Sequence, residues 1–168
     1  LLLLLSTNAQ KIDRSILDAV HYRSIGPTRQ GGRYVDFAVV DKKPETFYAA
    51  LSTGGLWKTE DNGITFKVLF EDAGAISIGD IAVDQNNPEI VWLGTGEANN
   101  SRTAYYGDGI YKSTDGGLTW SNMGLPESHH IGRIIIHPGD GDIVWVAALG
   151  HLYSENEERG VYKTTNGG

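Results

Sequence analysis

The chain of 168 residues has no cysteine, one methionine, five prolines and no apolar run long enough to cross a bilayer. Without cysteine there is no disulfide framework, so stability outside the cytoplasm has to come from packing and closure. Positive charge is also scarce. Fourteen Lys and Arg stand against 21 Asp and Glu, a formal net charge of -7. No basic run with interleaved aromatics occurs, which argues against nucleic acid as a partner. There is no glycine-rich phosphate loop and no nucleophile elbow, and no cofactor is expected.

Glycine is abundant, at 22 residues, and it punctuates a repeat. The stretch Gly54-Gly55-Leu56-Trp57-Lys58-Thr59-Glu60-Asp61-Asn62-Gly63-Ile64-Thr65-Phe66 returns as Gly109-Ile110-Tyr111-Lys112-Ser113-Thr114-Asp115-Gly116-Gly117-Leu118-Thr119-Trp120. A third copy runs Gly160-Val161-Tyr162-Lys163-Thr164-Thr165-Asn166-Gly167-Gly168. The aromatic recurs at 57, 111 and 162, steps of 54 (111 − 57) and 51 (162 − 111) residues. A period near fifty built from short strands predicts propeller blades.

Each copy reads as strand, tight turn, strand. Asp61, Asp115 and the substituted Asn166 supply side-chain acceptors for nearby backbone N–H groups, and Gly63 and Gly117 take positive φ cheaply. Trp120, with Phe66 in the first copy, is placed to pack under its turn. This is the Asp-box pattern. A repeated aspartate could be read as catalytic, but turn chemistry explains every residue in it, so these positions are assigned a structural role.

The expected fold is all-β: a β-propeller fragment of about three four-stranded antiparallel blades with Asp-box turns, over 31–77, 78–130 and a truncated 131–168. First strands are expected over 34–40, 80–83 and 133–136, and second strands over 46–51, 90–94 and 143–148. All are apolar almost throughout, as befits strands covered on both faces. Three units fall short of the roughly four to eight blades that close a ring. The chain therefore reads as a fragment whose partners include missing C-terminal blades of the same protein. Residues 1–9 read as the remnant of a signal peptide, with cleavage after Ala9, implying a secreted or periplasmic bacterial protein. Five leucines are too few for a membrane span. Segment 10–30 carries, at 22–25, a candidate strand that would close the last blade.

Repeat lengths differ mainly in one place. From second-strand to third-strand aromatic the gap is 9 residues in the first repeat (57 − 48), 19 in the second (111 − 92) and 17 in the third (162 − 145). Such insertions map to one face of a repeat protein, often the binding face. That face is expected to gather Arg33, Asn99, Arg102, Tyr105, Tyr106, His130, Arg133, His151 and Tyr153 for ligand binding. Rings to stack on and polar groups to orient suit a polysaccharide, an oligosaccharide or a peptide, and the same residues also suit a solvated loop surface.

Glycoside hydrolysis needs two carboxylates about 5–9.5 Å apart. Glu97 and Asp108 border the longest inserted loop and are the candidate catalytic pair, with loop closure as the plainer role. No metal is expected: His129 and His130 diverge if they lie in a strand, and no ligand spacing joins them to His151.

The runs Tyr22-Arg23-Ser24-Ile25-Gly26-Pro27, Gly54-Gly55-Leu56-Trp57-Lys58-Thr59, Val91-Trp92-Leu93-Gly94-Thr95-Gly96-Glu97 and His130-Ile131-Gly132-Arg133 make the chain resemble bacterial secreted BNR/Asp-box propellers. The run Gly107-Asp108-Gly109-Ile110-Tyr111-Lys112-Ser113-Thr114-Asp115-Gly116-Gly117 belongs to the same likeness, which covers 22–168. The nearest look is to the sortilin-like, glycosyl-hydrolase-type group. The resemblance implies seven or more blades, or two stacked propellers as in xyloglucan-cleaving members. It implies either a carbohydrate-active enzyme or a sortilin-type peptide- or protein-binding module. A sialidase would need an Arg-Ile-Pro motif, and the chain has none.

Overall fold

The computed structural model describes residues 32–100 and 104–168. The leader over 1–9, the closing strand at 22–25 and Arg102 lie outside the described residues. Eleven described strands form three antiparallel sheets. The first holds β1 (Tyr34–Val39), β2 (Phe47–Leu51), β3 (Gly55–Thr59) and β4 (Lys67–Leu69), in that order. The second repeats it with β5 (Ile78–Val83), β6 (Val91–Thr95), β7 (Ile110–Ser113) and β8 (Ser121–Gly124). The third has β9 (Ile131–His137), β10 (Asp140–Ala148) and β11 (Gly160–Thr164). No helix among the described residues is long and apolar enough to cross a membrane.

Sheets pack face to face. Tyr48, Leu56 and Leu69 of the first meet Ile78, Val91 and Leu93 of the second. Trp92 and Ile110 from the second sheet's other face meet Ile131, Ile134, Val144 and Val146 of the third. Only the middle sheet is covered on both sides, so β6 is buried throughout. The outer sheets depart from the expectation of doubly covered strands: Tyr34, Phe37 and Val39 of β1 and Ile135 of β9 are exposed. Alternation then follows ordinary strand geometry, with one face on the core and one outside.

The first strands β1, β5 and β9 lie side by side. β1 and β5 each carry a bulge just before an aspartate, and β9 shifts register at the matching place. Those aspartates link neighbouring sheets. Asp36 Oδ2 accepts the Ile81 N–H at 3.3 Å, and Asp80 Oδ2 accepts the Ile134 N–H at 2.6 Å. Gly79 permits the close approach of β5 to β9, since a Cβ there would sit 2.0 Å from the Ile131 carbonyl oxygen.

At one end of the sheets lie the aspartate turns. Asp61 accepts the Thr65 N–H and hydroxyl at 2.8 and 2.6 Å and the Thr59 hydroxyl at 2.8 Å. Asp115 repeats this with Thr119 and Ser113, and Thr164 with Asn166 and Gly168 partly repeats it. The Thr65 and Thr119 hydroxyls, then their N–H groups, hold both carboxyls down at about 2. The Trp120 indole donates to the Gly117 carbonyl at 3.0 Å while its ring packs edge-on against Phe70.

A second device recurs in all three sheets. Lys58, Lys112 and Lys163 of each third strand lie 5.1–5.4 Å from the ring of their cross-strand partners Tyr48, Trp92 and Trp145. Lys58 and Lys112 then reach the next sheet's turn, at the Gly116 and Gly167 carbonyls.

Candidate functional site

The opposite end gathers the loop after β6, the loop after β10 and the connections between sheets. Its deepest group is Glu97. The Arg33 guanidinium clamps it, with Nη2 2.7 and 2.5 Å from the two carboxylate oxygens and Nε 3.1 Å from Oε1. The Glu97 main chain is tied too: its N–H donates to Ser77 Oγ at 3.0 Å, and its carbonyl accepts His130 Nδ1 at 2.8 Å. His130 therefore carries its proton on Nδ1, and burial lowers its pKa below the ordinary imidazole value.

A catalytic carboxylate has to touch the scissile bond. The Glu97 side chain is 0% exposed and bound to Arg33, the arrangement of a loop anchor. Arg33 and His130, expected as ligand contacts, are likewise occupied with Glu97. Arg133 sits on the inner strand β9, with Nη1 3.4 Å from Asp80. Its side chain is 63% exposed there.

Asp108 closes the same loop. Its Oδ2 accepts the Tyr111 hydroxyl at 2.6 Å, its Oδ1 the Thr95 hydroxyl at 3.3 Å, and its N–H donates back to Thr95 Oγ1. Burial, then this hydrogen bond, raises the Tyr111 pKa. Asp108 is half-buried where Glu97 is sealed.

Around this base stand exposed rings and amides. Asn99, Tyr105 and Tyr106 come from the loop after β6, and Tyr153 from the loop after β10. Tyr153, 81% exposed, donates its hydroxyl to Asn100 at 2.7 Å and so bridges the two loops.

The histidines are arranged otherwise than a strand would place them. His129 and His130 follow a single 3-10 turn at Pro126–Ser128, and His129 takes φ 57°. His130 turns inward. The His129 ring turns outward and stacks on His151 with centroids 3.8 Å apart, and Tyr106 stacks on its other side at 4.9 Å. Gly96 makes room: a Cβ there would sit 1.7 Å from the His129 carbonyl oxygen, which instead accepts the Gly107 N–H at 2.7 Å. Burial, then the neighbouring His151, lowers the His129 pKa. Glu127 completes a group in which one ligand atom from each of Glu127, His129 and His151 lies within 4.8 Å of the others. Sequence spacing hid this cluster because its members are joined by the packing of two loops.

No family model matches the chain, and no curated protein matches it. Solved structures do. An ancestral GH74 enzyme superposes over 85% of the chain with a TM-score of 0.67 at 19% identity, and the GH74 enzyme of Niastella koreensis over 80% with 0.55 at 22%. The chain folds as three blades of a β-propeller. It spans 18% and 21% of those two enzymes. YCF48 bound to a D1 peptide also superposes, over 82% of the chain and 39% of its own length, with a TM-score of 0.51 at 16% identity. The propeller accounts for the geometry above: inner strands side by side, aspartate turns at one end, and insertions at the other.

Proposed function

We propose that the chain supplies part of the glycan-binding face of an exported, glycoside hydrolase-like Asp-box propeller. The observation that carries this reading is the convergence of Asn99, Tyr105, Tyr106 and Tyr153 from two blades onto one polar rim. Exposed rings beside amides suit a sugar, whose faces stack and whose hydroxyls need oriented partners. The likeness to two GH74 enzymes supports the glycan class. The aspartate turns support membership of the Asp-box group, and the apolar stretch 1–5 ahead of Ala9 supports export. Within this reading Asp108 is the carboxylate available for chemistry, and Glu97 with Arg33 positions the loop that carries it.

The test uses the full-length parent protein on a polysaccharide panel, with binding and sugar release measured together. Tyr105→Ala and Tyr153→Ala should each weaken glycan affinity by about tenfold, the loss expected of one stacked ring. Asp108→Asn should abolish release while leaving binding. Glycan binding indifferent to both tyrosines would sink the assignment of the rim. The peptide held by YCF48 favours a second reading, a peptide-binding propeller. It gains if no glycan binds and a peptide library selects ligands lost on Tyr153→Ala.

A further inference from the structure

We propose that Glu127, His129 and His151 form a binding site for a divalent transition-metal ion of the zinc class, at the joint between the second and third blades. One carboxylate and two imidazoles are the mixed oxygen and nitrogen donors that zinc accepts in a three-ligand site. One ligand atom from each already lies within 4.8 Å of the others. A tetrahedral shell with bonds of about 2.0–2.2 Å separates its ligand atoms by roughly 3.4 Å. The His129 and His151 rings are stacked, so closing on an ion means splaying them to bring both lone pairs onto it while the exposed Glu127 side chain swings in.

A further observation points to a ligand. His151 Nε2 is buried without a hydrogen-bond partner. Its other nitrogen, Nδ1, lies 2.8 Å from Ser154 Oγ, the outer-shell hydrogen bond that fixes ring orientation in metal sites. In the tautomer that donates the Nδ1 proton to Ser154, Nε2 carries a bare lone pair. A buried polar atom left in this way calls for an explanation, and a cation supplies one.

His129 holds φ 57°, a conformation non-glycine residues adopt seldom and retain only where their surroundings impose it. Its carbonyl accepts the Gly107 N–H, and its ring lies face to face with His151. Glu127 is held by its main chain: its N–H donates to Glu158 at 2.8 Å and its carbonyl accepts from Asn156 at 2.9 Å. Three protein ligands leave a coordination position open, the pattern of zinc sites that engage a water or a ligand group.

The experiment is zinc binding by the full-length, tag-free protein, read by competition with a chromophoric chelator and by metal content after dialysis. The probe is Zn²⁺ alone. One ion per chain is expected. Changes to outer-shell partners alone cost about 10–100-fold in metal affinity, so His151→Asn should weaken binding by about a hundredfold or more and Glu127→Gln by about tenfold. His137→Gln, a histidine on β9 outside the cluster, should bind as wild type does. Thermal melts in chelator report whether each variant folds. Should His151→Asn fail to fold, Glu127→Gln decides, because its side chain makes no hydrogen bond that the fold uses. Absence of a stoichiometric ion, or an affinity unchanged in Glu127→Gln, overturns the assignment.

Discussion

At the scale of single residues, the Arg33–Glu97 clamp is asymmetric. Glu97 is sealed, while the Arg33 side chain is about half in water. Losing either partner therefore has different consequences. Arg33→Ala strands a buried carboxylate without its counter-ion, the costlier of the two defects. Glu97→Gln keeps one acceptor and leaves a cation able to hydrate, so its cost is smaller, about 1 kcal/mol. Chemical denaturation of the two variants should rank them in that order. Equal losses would mean that Glu97 is hydrated in solution and the clamp contributes little. The same comparison bears on the loop face, because the Glu97 carbonyl holds His130 beside His129.

At the scale of elements, the inner strands β1, β5 and β9 are joined by carboxylates under strain of burial. Burial, offset in part by the Ile134 N–H, pushes the Asp80 carboxyl up to about 7, far above the ordinary value near 3.9. The folded chain thus keeps a proton through pH values at which the unfolded chain has lost it. Stability contributed by this group is fully present below about pH 4 and is lost as pH rises towards about 7. Asp80→Asn retains a carbonyl acceptor for the Ile134 N–H and removes the titration. Relative to wild type, the variant should gain on the order of 2 kcal/mol between pH 4 and pH 7.5. Denaturation midpoints measured across that range check it. A difference that stays flat with pH would show that Asp80 is already ionised at pH 4.

At the scale of the molecule, the two outer sheets present apolar surface. Tyr34, Phe37 and Phe66 are exposed on the first blade, and Ile135 and Val161 on the third. Tyr34, Phe37, Phe47 and Phe66 form a chain of ring contacts there, the first stacked and the next two edge-on, with centroids 5.1–6.2 Å apart. Contiguous apolar patches of this kind drive association. The 168-residue chain should therefore gain mass with concentration in light scattering. Phe37→Lys with Val161→Lys should hold it monomeric to about tenfold higher concentration. Identical scattering from both proteins would show that these faces are inert.

Much of the architecture was legible in the residues before any coordinates. The fifty-residue period, the Asp61 and Asp115 turns and the unequal gaps between aromatics specified blades, hairpins and a loop face, because strands and tight turns depend on near neighbours in sequence. The long-range chemistry was not legible. Asp80 read as one polar residue in an apolar strand, and only the neighbouring blade turned it into a bond to Ile134. Glu97 borders an inserted loop in the sequence, and only the fold brings Arg33, 64 residues away, to enclose it. His129 and His151 carry no spacing signal, and two loops bring their rings to 3.8 Å. The sequence by itself determined the repeating unit and the direction of its insertions. Which side chains are sealed, which are exposed and which meet was decided by the tertiary structure, because burial and distance belong to pairs of blades and are properties of no single repeat.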